Sequence, residues 1–352
     1  MARGGRVETR LTGPGGTVGR RGRRGRGWPM TDASGGDCYG KVKGDGAPGG
    51  RLATASPAPH HRALMSQDTI LPDPSDPRLT RGVTGRDQTG AEVALRVIEE
   101  RPLTIWLNGT EVVTAMTIGD HPEFLAVGFL RNQGMLRDDD AITGVEHDAD
   151  LDVVVVRTLR QSSYEAKLAR RTRTSGCAVG TVFGDMMEGL EGLRLPEAEL
   201  RTSDLYALAK AINTMPSLYL EAGAIHGTVL CRGDKPLIYM EDVGRHNAVD
   251  KVAGWMFLGG VSGAHKLLYT TGRLTSEMVI KRATMGIPAL ASRSGFTAWG
   301  VDLARQVGLT LIGRLRGERF VCLSGEERLV RDAVLSGRTE EARHRRKGAG
   351  DD

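Results

Sequence analysis

From residue 227 to residue 324 the sequence alternates short apolar runs with amphipathic stretches of 10–12 residues, and this constrains the fold more than any other feature. Gly227–Cys231, Pro236–Met240, Lys266–Thr270, Pro288–Ser292, Thr310–Leu315 and Phe320–Ser324 read as strands. Asn247–Phe257, Thr275–Met285 and Ala298–Val307 read as helices, the last closed by Gly308. Strands alternating with helices of this length predict an α/β core with a mostly parallel sheet covered on both faces. Ser203 starts an earlier helix that places Leu205, Leu208, Ile212 and Met215 on one face and stops at Pro216.

Upstream the pattern changes to a smaller α+β unit. Asn108-Gly109 between Thr104–Leu107 and Thr110–Val113 is a type I′ hairpin signal. A helix follows, with Asp120 as its N-cap, Glu123 at the capping-box position, Pro122 in the first turn and Gly134 as terminator. Leu151–Arg157 reads as a buried strand. Residues 1–87 are rich in Gly, Arg, Pro, Ser and Asp without periodicity, and such a segment cannot bury enough apolar surface to offset its ordering entropy. The expected organisation is a disordered leader over 1–87, with Met30 and Met65 as alternative starts, and the α+β unit over 88–172. The larger domain then covers 173–335, and a solvated tail covers 336–352.

Net charge sharpens this division. The chain is formally +5, but residues 1–65 carry 12 Arg/Lys against 4 Asp/Glu, so the remainder is mildly acidic at −3. The basic character belongs to the leader, where Trp28 stands nearly alone among the arginines, and specific nucleic-acid binding is not expected. No apolar stretch reaches the 18 residues that a membrane span needs, and none follows Arg20-Arg21, so a cytoplasmic setting is expected. His121-Pro122-Glu123 has the form H-x-E but no P-C-x-x-C partner, which argues against a zinc site.

Chemistry concentrates in four segments. Cys177 sits in the polar, glycine-flanked run Thr174-Ser175-Gly176-Cys177-Ala178-Val179-Gly180, with Arg171 and Arg173 placed to favour a thiolate. By residue type alone a reactive and a structural cysteine are both open there. Cys231 and Cys322 end apolar strands and read as structural, and Cys38 falls in the leader. Tyr269-Thr270-Thr271-Gly272-Arg273-Leu274-Thr275-Ser276 runs from a strand through a glycine into a helix. There exposed N–H groups, a left-handed turn at Gly272 and the Arg273 guanidinium would suit a phosphate, unless Thr275 is only a helix cap. The strand-end segment Met240–Lys251 gathers Arg245, His246 and Asn247, and Ser292–Thr297 contributes Arg293 and Ser294. In a parallel sheet these turns share one edge and form one pocket, with His226 facing it or serving as an ordinary strand histidine.

The segments Glu241-Asp242-Val243-Gly244-Arg245-His246-Asn247-Ala248, Thr271-Gly272-Arg273-Leu274-Thr275-Ser276-Glu277-Met278 and Ala291-Ser292-Arg293-Ser294-Gly295-Phe296-Thr297-Ala298 are long and specific. Together they resemble the formate dehydrogenase accessory sulfurtransferase family, FdhD, over roughly residues 90–330. The resemblance implies a three-layer core like that of cytidine deaminase without its zinc, and a homodimer. It implies a sulfurtransferase that takes sulfur from a cysteine desulfurase as a persulfide on the cysteine matched by Cys177. The sulfur would pass to the bis-molybdopterin guanine dinucleotide form of the molybdenum cofactor before insertion into the formate dehydrogenase catalytic subunit. The resemblance places the cofactor at Tyr269–Leu274, with GDP as a partial mimic. Many relatives carry a second cysteine three residues on, where this chain has Gly180, so a relay through a disulfide between the two has no counterpart here. A cofactor-binding chaperone without sulfur chemistry is the alternative reading.

Overall fold

Two consecutive left-handed residues, Asn108 at φ 48° and Gly109 at φ 88°, build the turn that the sequence predicts. They join β3 (Arg101–Leu107) to β4 (Thr110–Thr117), with Leu107 facing Thr110. The structure is a computed structural model that describes residues 69–160, 172–174, 177–181, 190 and 192–335. Before this hairpin lies another, β1 (Thr80–Arg86) with β2 (Glu92–Ile98). β1 falls inside the stretch read as leader, which is a correction to that boundary. Its residues are exposed on both faces after Thr80, so it shows no apolar alternation, and backbone pairing with β2 defines it. Residues 69–79 of the same stretch are described too, with Ile70 and Leu79 buried. Residues 1–68 and the tail beyond 335 lie outside the described residues.

After β4 comes α1 (Pro122–Asn132), then the hairpin of β5 (Ile142–Asp148) and β6 (Val153–Thr158). These strands form a four-stranded sheet in the order β4-β3-β6-β5, with β3 and β6 parallel. Pro122 opens α1 as expected and Gly134 closes it at φ 69°. The N-cap is not Asp120, however: His121 holds that position at φ 47° without a side-chain bond, and Asp120 is committed to Lys251. A buried lysine outcompetes a helix end for the carboxylate because its charge has no water to turn to.

The hairpin β7 (Thr172–Thr174) and β8 (Cys177–Thr181) follows, with β8 lying against β4. Next are β9 (Leu200–Arg201), α2 (Thr202–Thr214) and the short α3 (Leu218–Ala222). The larger sheet is built from β10 (His226–Arg232), β11 (Lys235–Asp242), β12 (Leu267–Thr270), β13 (Ala289–Ser292), β14 (Thr310–Arg316) and β15 (Arg319–Ser324). The helices α4 (Arg245–Leu258), α5 (Ser276–Thr284) and α6 (Ala298–Gln306) connect β11, β12, β13 and β14 in turn. β16 (Leu329–Val330) returns to pair with β9.

Strand order in this sheet is β11-β10-β12-β13-β14-β15, and the expectation of a mostly parallel sheet needs correction. Only β12–β13 and β13–β14 pair in parallel, while β10–β11, β10–β12 and β14–β15 are antiparallel. The helix-bearing connections give β11, β12, β13 and β14 one direction, as alternation requires. The hairpin partner β10 is inserted between β11 and β12, and β15 folds back on the far edge. Side chains alternate across the sheet into two cores. Leu230, Ile238, Met240, Leu268, Leu290 and Leu311 pack with α1, α4, α5, α6 and the four-stranded sheet. Val229, Tyr239, Tyr269, Ala291 and Ile312 pack with Leu205, Leu208 and Ile212 of α2. The result is three layers, helices on each side of a mixed sheet.

Candidate functional site

Because β11, β12 and β13 share a direction, the turns that follow them lie on one edge. His226, the first residue of the antiparallel β10, stands opposite Asp242 on that same edge. The turns are knitted together. Thr271 N–H donates to the Gly227 carbonyl at 2.9 Å, and Gly227 N–H donates to Thr271 Oγ1 at 3.0 Å. The Ser292 hydroxyl donates to the Gly272 carbonyl at 2.6 Å, Leu274 N–H to Gly295 O at 2.9 Å, and Thr297 N–H to Leu274 O at 3.0 Å. His226 Nδ1 lies 3.3 Å from Thr271 Oγ1.

This knitting changes the chemistry expected of the glycine turn. The N–H groups of Thr271, Gly272 and Leu274 are spent inside the protein, that of Gly272 on Thr270 Oγ1 at 3.2 Å. Nor is Gly272 left-handed, since its φ is not positive. It must be glycine for a different reason: an added Cβ would stand 2.9 Å from Arg245 Cδ and 3.1 Å from Arg245 Cβ. Of the remaining turn residues, Tyr269 is buried in the α2-side core and Leu274 in the opposite core, with Thr270 fully buried between strands. Only Thr271 and the exposed Arg273 reach the edge with their side chains.

Charge gathers there. Burial lowers the pKa of His226, and Arg245, Arg293 and Arg273 push it further the same way, so a neutral imidazole sits among three guanidinium groups. Arg293 is held by the ring of Tyr219, with its guanidinium carbon 4.5 Å from the ring centroid. His246 is buried, with Nε2 at 3.3 Å from Glu277 Oε2. Burial first, then Lys281, Arg245 and His226, push its pKa down to about 2, so the contact is between a neutral ring and a carboxylate rather than an ion pair. At the start of α5, Ser276 is half-buried and Thr275 is the N-cap, but Thr275 makes no capping bond. Its Oγ1 is buried and has no hydrogen-bond partner among the described residues. Asn247 does not serve the pocket: its Nδ2 donates to the Met116 carbonyl at 2.7 Å and to Asp242 Oδ1 at 2.9 Å. Ser294 presents its N–H to Ser292 Oγ at 2.9 Å.

Cys177 opens β8, opposite Thr174. Its side chain, and the residues Arg171, Ser175 and Gly176, lie outside what the structure describes. Cys231 is fully buried, and burial pushes its pKa up. Cys322 is half-buried and its thiol donates to the Ser324 carbonyl at 3.1 Å, with burial raising its pKa as well. Among the described residues no group of His, Cys, Asp or Glu is arranged to hold a metal ion, and no helix is long and apolar enough to cross a membrane.

Sequence reasoning missed several partners. Tyr219 carries no motif, and Thr275 holds the N-cap position without its hydroxyl capping the helix. An aspartate and a lysine, Asp250-Lys251, interrupt the apolar run of α4, and both are buried. Lys251 reaches Asp120, Asp242 at 2.6 Å and the Glu241 carbonyl at 2.9 Å. Asp250 pairs with Lys281 at 2.7 Å and accepts from Asn132 at 2.7 Å.

Glu241 just behind the edge gives a pH test. Its carboxylate accepts from Leu218 N–H at 2.7 Å, but burial dominates and its pKa is pushed up to about 6 from 4.5. The folded state then binds the proton more tightly than the unfolded chain. Stability from this group is full below pH 4.5 and is lost as pH rises through about 6. The loss is on the order of 2 kcal/mol. Thermal midpoints should show the wild type losing ground to Glu241→Gln across that window, whereas parallel curves would refute the assignment.

The model of the FdhD/NarQ family matches residues 98–330. The sulfur carrier protein FdhD of Bacillus subtilis is 30% identical over 242 residues, covering 68% of this chain and 92% of that protein. The Wolinella succinogenes protein of the same name is 33% identical over 227 residues, covering 64% of this chain and 79% of its own length. A crystal structure described as a formate dehydrogenase accessory protein, from Desulfotalea psychrophila, superposes with a TM-score of 0.59 at 28% identity. It covers 71% of this chain and 98% of that one.

Proposed function

The chain belongs to the FdhD/NarQ family, and from that premise we propose that it is a sulfur carrier for formate dehydrogenase. In this reading a cysteine desulfurase presents a persulfide and the Cys177 thiolate attacks its outer sulfur. The S–S bond breaks, the desulfurase thiolate leaves, and the sulfur remains on Cys177. The acceptor is the bis-molybdopterin guanine dinucleotide form of the molybdenum cofactor, held as substrate at the basic edge until it enters formate dehydrogenase. Gly180 makes this a relay through one cysteine. The reading carries with it a core of the cytidine deaminase type without zinc, a homodimer and a cytoplasmic setting.

The observation that carries the binding half is the orphaned Thr275 hydroxyl at the N-terminus of α5, beside Arg273. A buried hydroxyl without a partner costs free energy unless a ligand completes it. A helix N-terminus with adjacent guanidinium groups supplies what a phosphate needs. Arg273→Ala should weaken GDP binding by about 10- to 150-fold, the usual range for losing one charge-assisted hydrogen bond, with the fold unchanged. Gly272→Val should be worse, because its side chain must displace Arg245. Calorimetric titration of GDP decides this, and equal affinity in all three proteins would move the nucleotide elsewhere. The sulfur half is tested by intact mass after incubation with a cysteine desulfurase and cysteine. A gain of one sulfur atom supports the carrier, and its absence leaves the chaperone that only delivers cofactor.

A further inference from the structure

Beside the edge lies the fully buried carboxylate of Asp242, which holds four donors. Its Oδ1 accepts Gly244 N–H at 3.0 Å and Asn247 Nδ2 at 2.9 Å. Its Oδ2 accepts Lys251 Nζ at 2.6 Å and the hydroxyl of Thr117. The last bond joins residues 125 apart in sequence and crosses from the four-stranded sheet to the six-stranded one. Two more ties cross at the same corner, from Asn247 to the Met116 carbonyl and from Lys251 to Asp120. All three grip the chain at the end of β4.

β4 is placed between the two halves of the proposed reaction. Along its side lies β8, which Cys177 opens. At its end the three ties fix the loop of Asp242 to Asn247, which carries Arg245 against Gly272. We infer that Thr117, with Asp120 behind Lys251, is a positioning residue for the onward transfer of sulfur, holding the strand beside the Cys177 hairpin in register with the anion-binding edge. The inference rests on the sulfur-carrier reading. Its physical basis is that group transfer is steep in distance, a misplacement of about 1 Å costing on the order of 100-fold. Asp242 keeps three of its four donors when the Thr117 hydroxyl is lost, so register should suffer before the fold does.

The test uses the full chain and three readouts: persulfide on Cys177 by intact mass, GDP affinity by calorimetry, and formate dehydrogenase activity in a strain lacking its own copy. Thr117→Val, which keeps the shape and removes the hydroxyl, should load sulfur normally and bind GDP within about 2-fold of wild type. It should mature the enzyme about 10-fold less well or worse. Thr117→Ser, which keeps the hydroxyl, should restore maturation. Wild-type maturation by Thr117→Val overturns the inference, and so does a parallel fall in all three readouts, the signature of a merely structural role. If Thr117→Val does not fold, Asp120→Asn carries the same expected split and is overturned by the same results. Failure of the wild-type chain to take up sulfur on Cys177 would be seen in the first readout, and it would sink the carrier reading instead.

Discussion

Gly254→Ala should be among the most destabilising single-methyl additions available to this protein. Helices α1 and α4 cross at Gly128 and Gly254 with no side chain between their backbones. A Cβ on Gly254 would lie 1.9 Å from the Phe124 carbonyl oxygen, and one on Gly128 would lie 1.7 Å from that of Asp250. Neither neighbour is the end of a flexible side chain, so the helices themselves must separate. That separation would open the core shared by Phe124, Leu125, Val249 and Val252 and stretch the buried Asn132–Asp250–Lys281 set. Overpacking ordinarily costs about 1–3 kcal/mol, and with backbone on both sides the expected cost is at the upper end or beyond it. For a domain of this size that corresponds to roughly a 10 °C fall in thermal midpoint. Gly85→Ala is the control: the site has open space and no positive φ, so its midpoint should stay close to wild type. A Gly254→Ala protein that melts with the wild type would show that these helices pack less closely than described.

What could be read from the sequence follows the range of the interactions concerned. The Asn108-Gly109 turn, the strands of the large sheet and its three connecting helices depend on residues within a dozen positions of one another, and all are found where periodicity and turn chemistry put them. Strand adjacency depends on the whole sheet, and nothing local to β10 says that it inserts between β11 and β12. The same distinction runs through the site. Alternation along β12 sends Tyr269 into one core, and Leu274 in the turn beyond goes into the other, so a motif that looks continuous in sequence contributes mainly Thr271 and Arg273 to the edge. Asn247 looks like a pocket residue until its two acceptors are known, and one of them, the Met116 carbonyl, is 131 residues away. Asp120 reads as a cap for the same reason: its true partner, Lys251, is also 131 residues distant. Short-range rules name the elements and the reactive types, while burial and long-range pairing decide which of those types remain available for chemistry.

Cys177→Ala should abolish both persulfide formation and formate dehydrogenase maturation while leaving GDP affinity unchanged. Cys231 and Cys322, the other cysteines among the described residues, are poorly suited to the role. A sulfur carrier needs a thiolate, and burial holds Cys231 as an inert thiol. Cys322 is likewise disfavoured by burial, and its thiol hydrogen is engaged by the Ser324 carbonyl. Cys231→Ala should cost about 1 kcal/mol or more through the cavity it leaves, and Cys322→Ala less, with maturation retained in both. Cys177 differs in setting: it opens β8, follows Ser175-Gly176 in sequence with Arg171 and Arg173 close by in sequence, and β8 lies against β4, the strand whose end is tied to the Asp242–Asn247 loop. Gly180 stands three residues on, so the segment Arg171–Thr181 carries one cysteine. Intact mass on the three variants, with complementation of a strain lacking its own copy, separates the outcomes. Sulfur retained by Cys177→Ala would transfer the carrier role to another thiol. Loss of maturation with persulfide still forming on Cys231→Ala would show that the α2-side core, not sulfur uptake, limits the reaction.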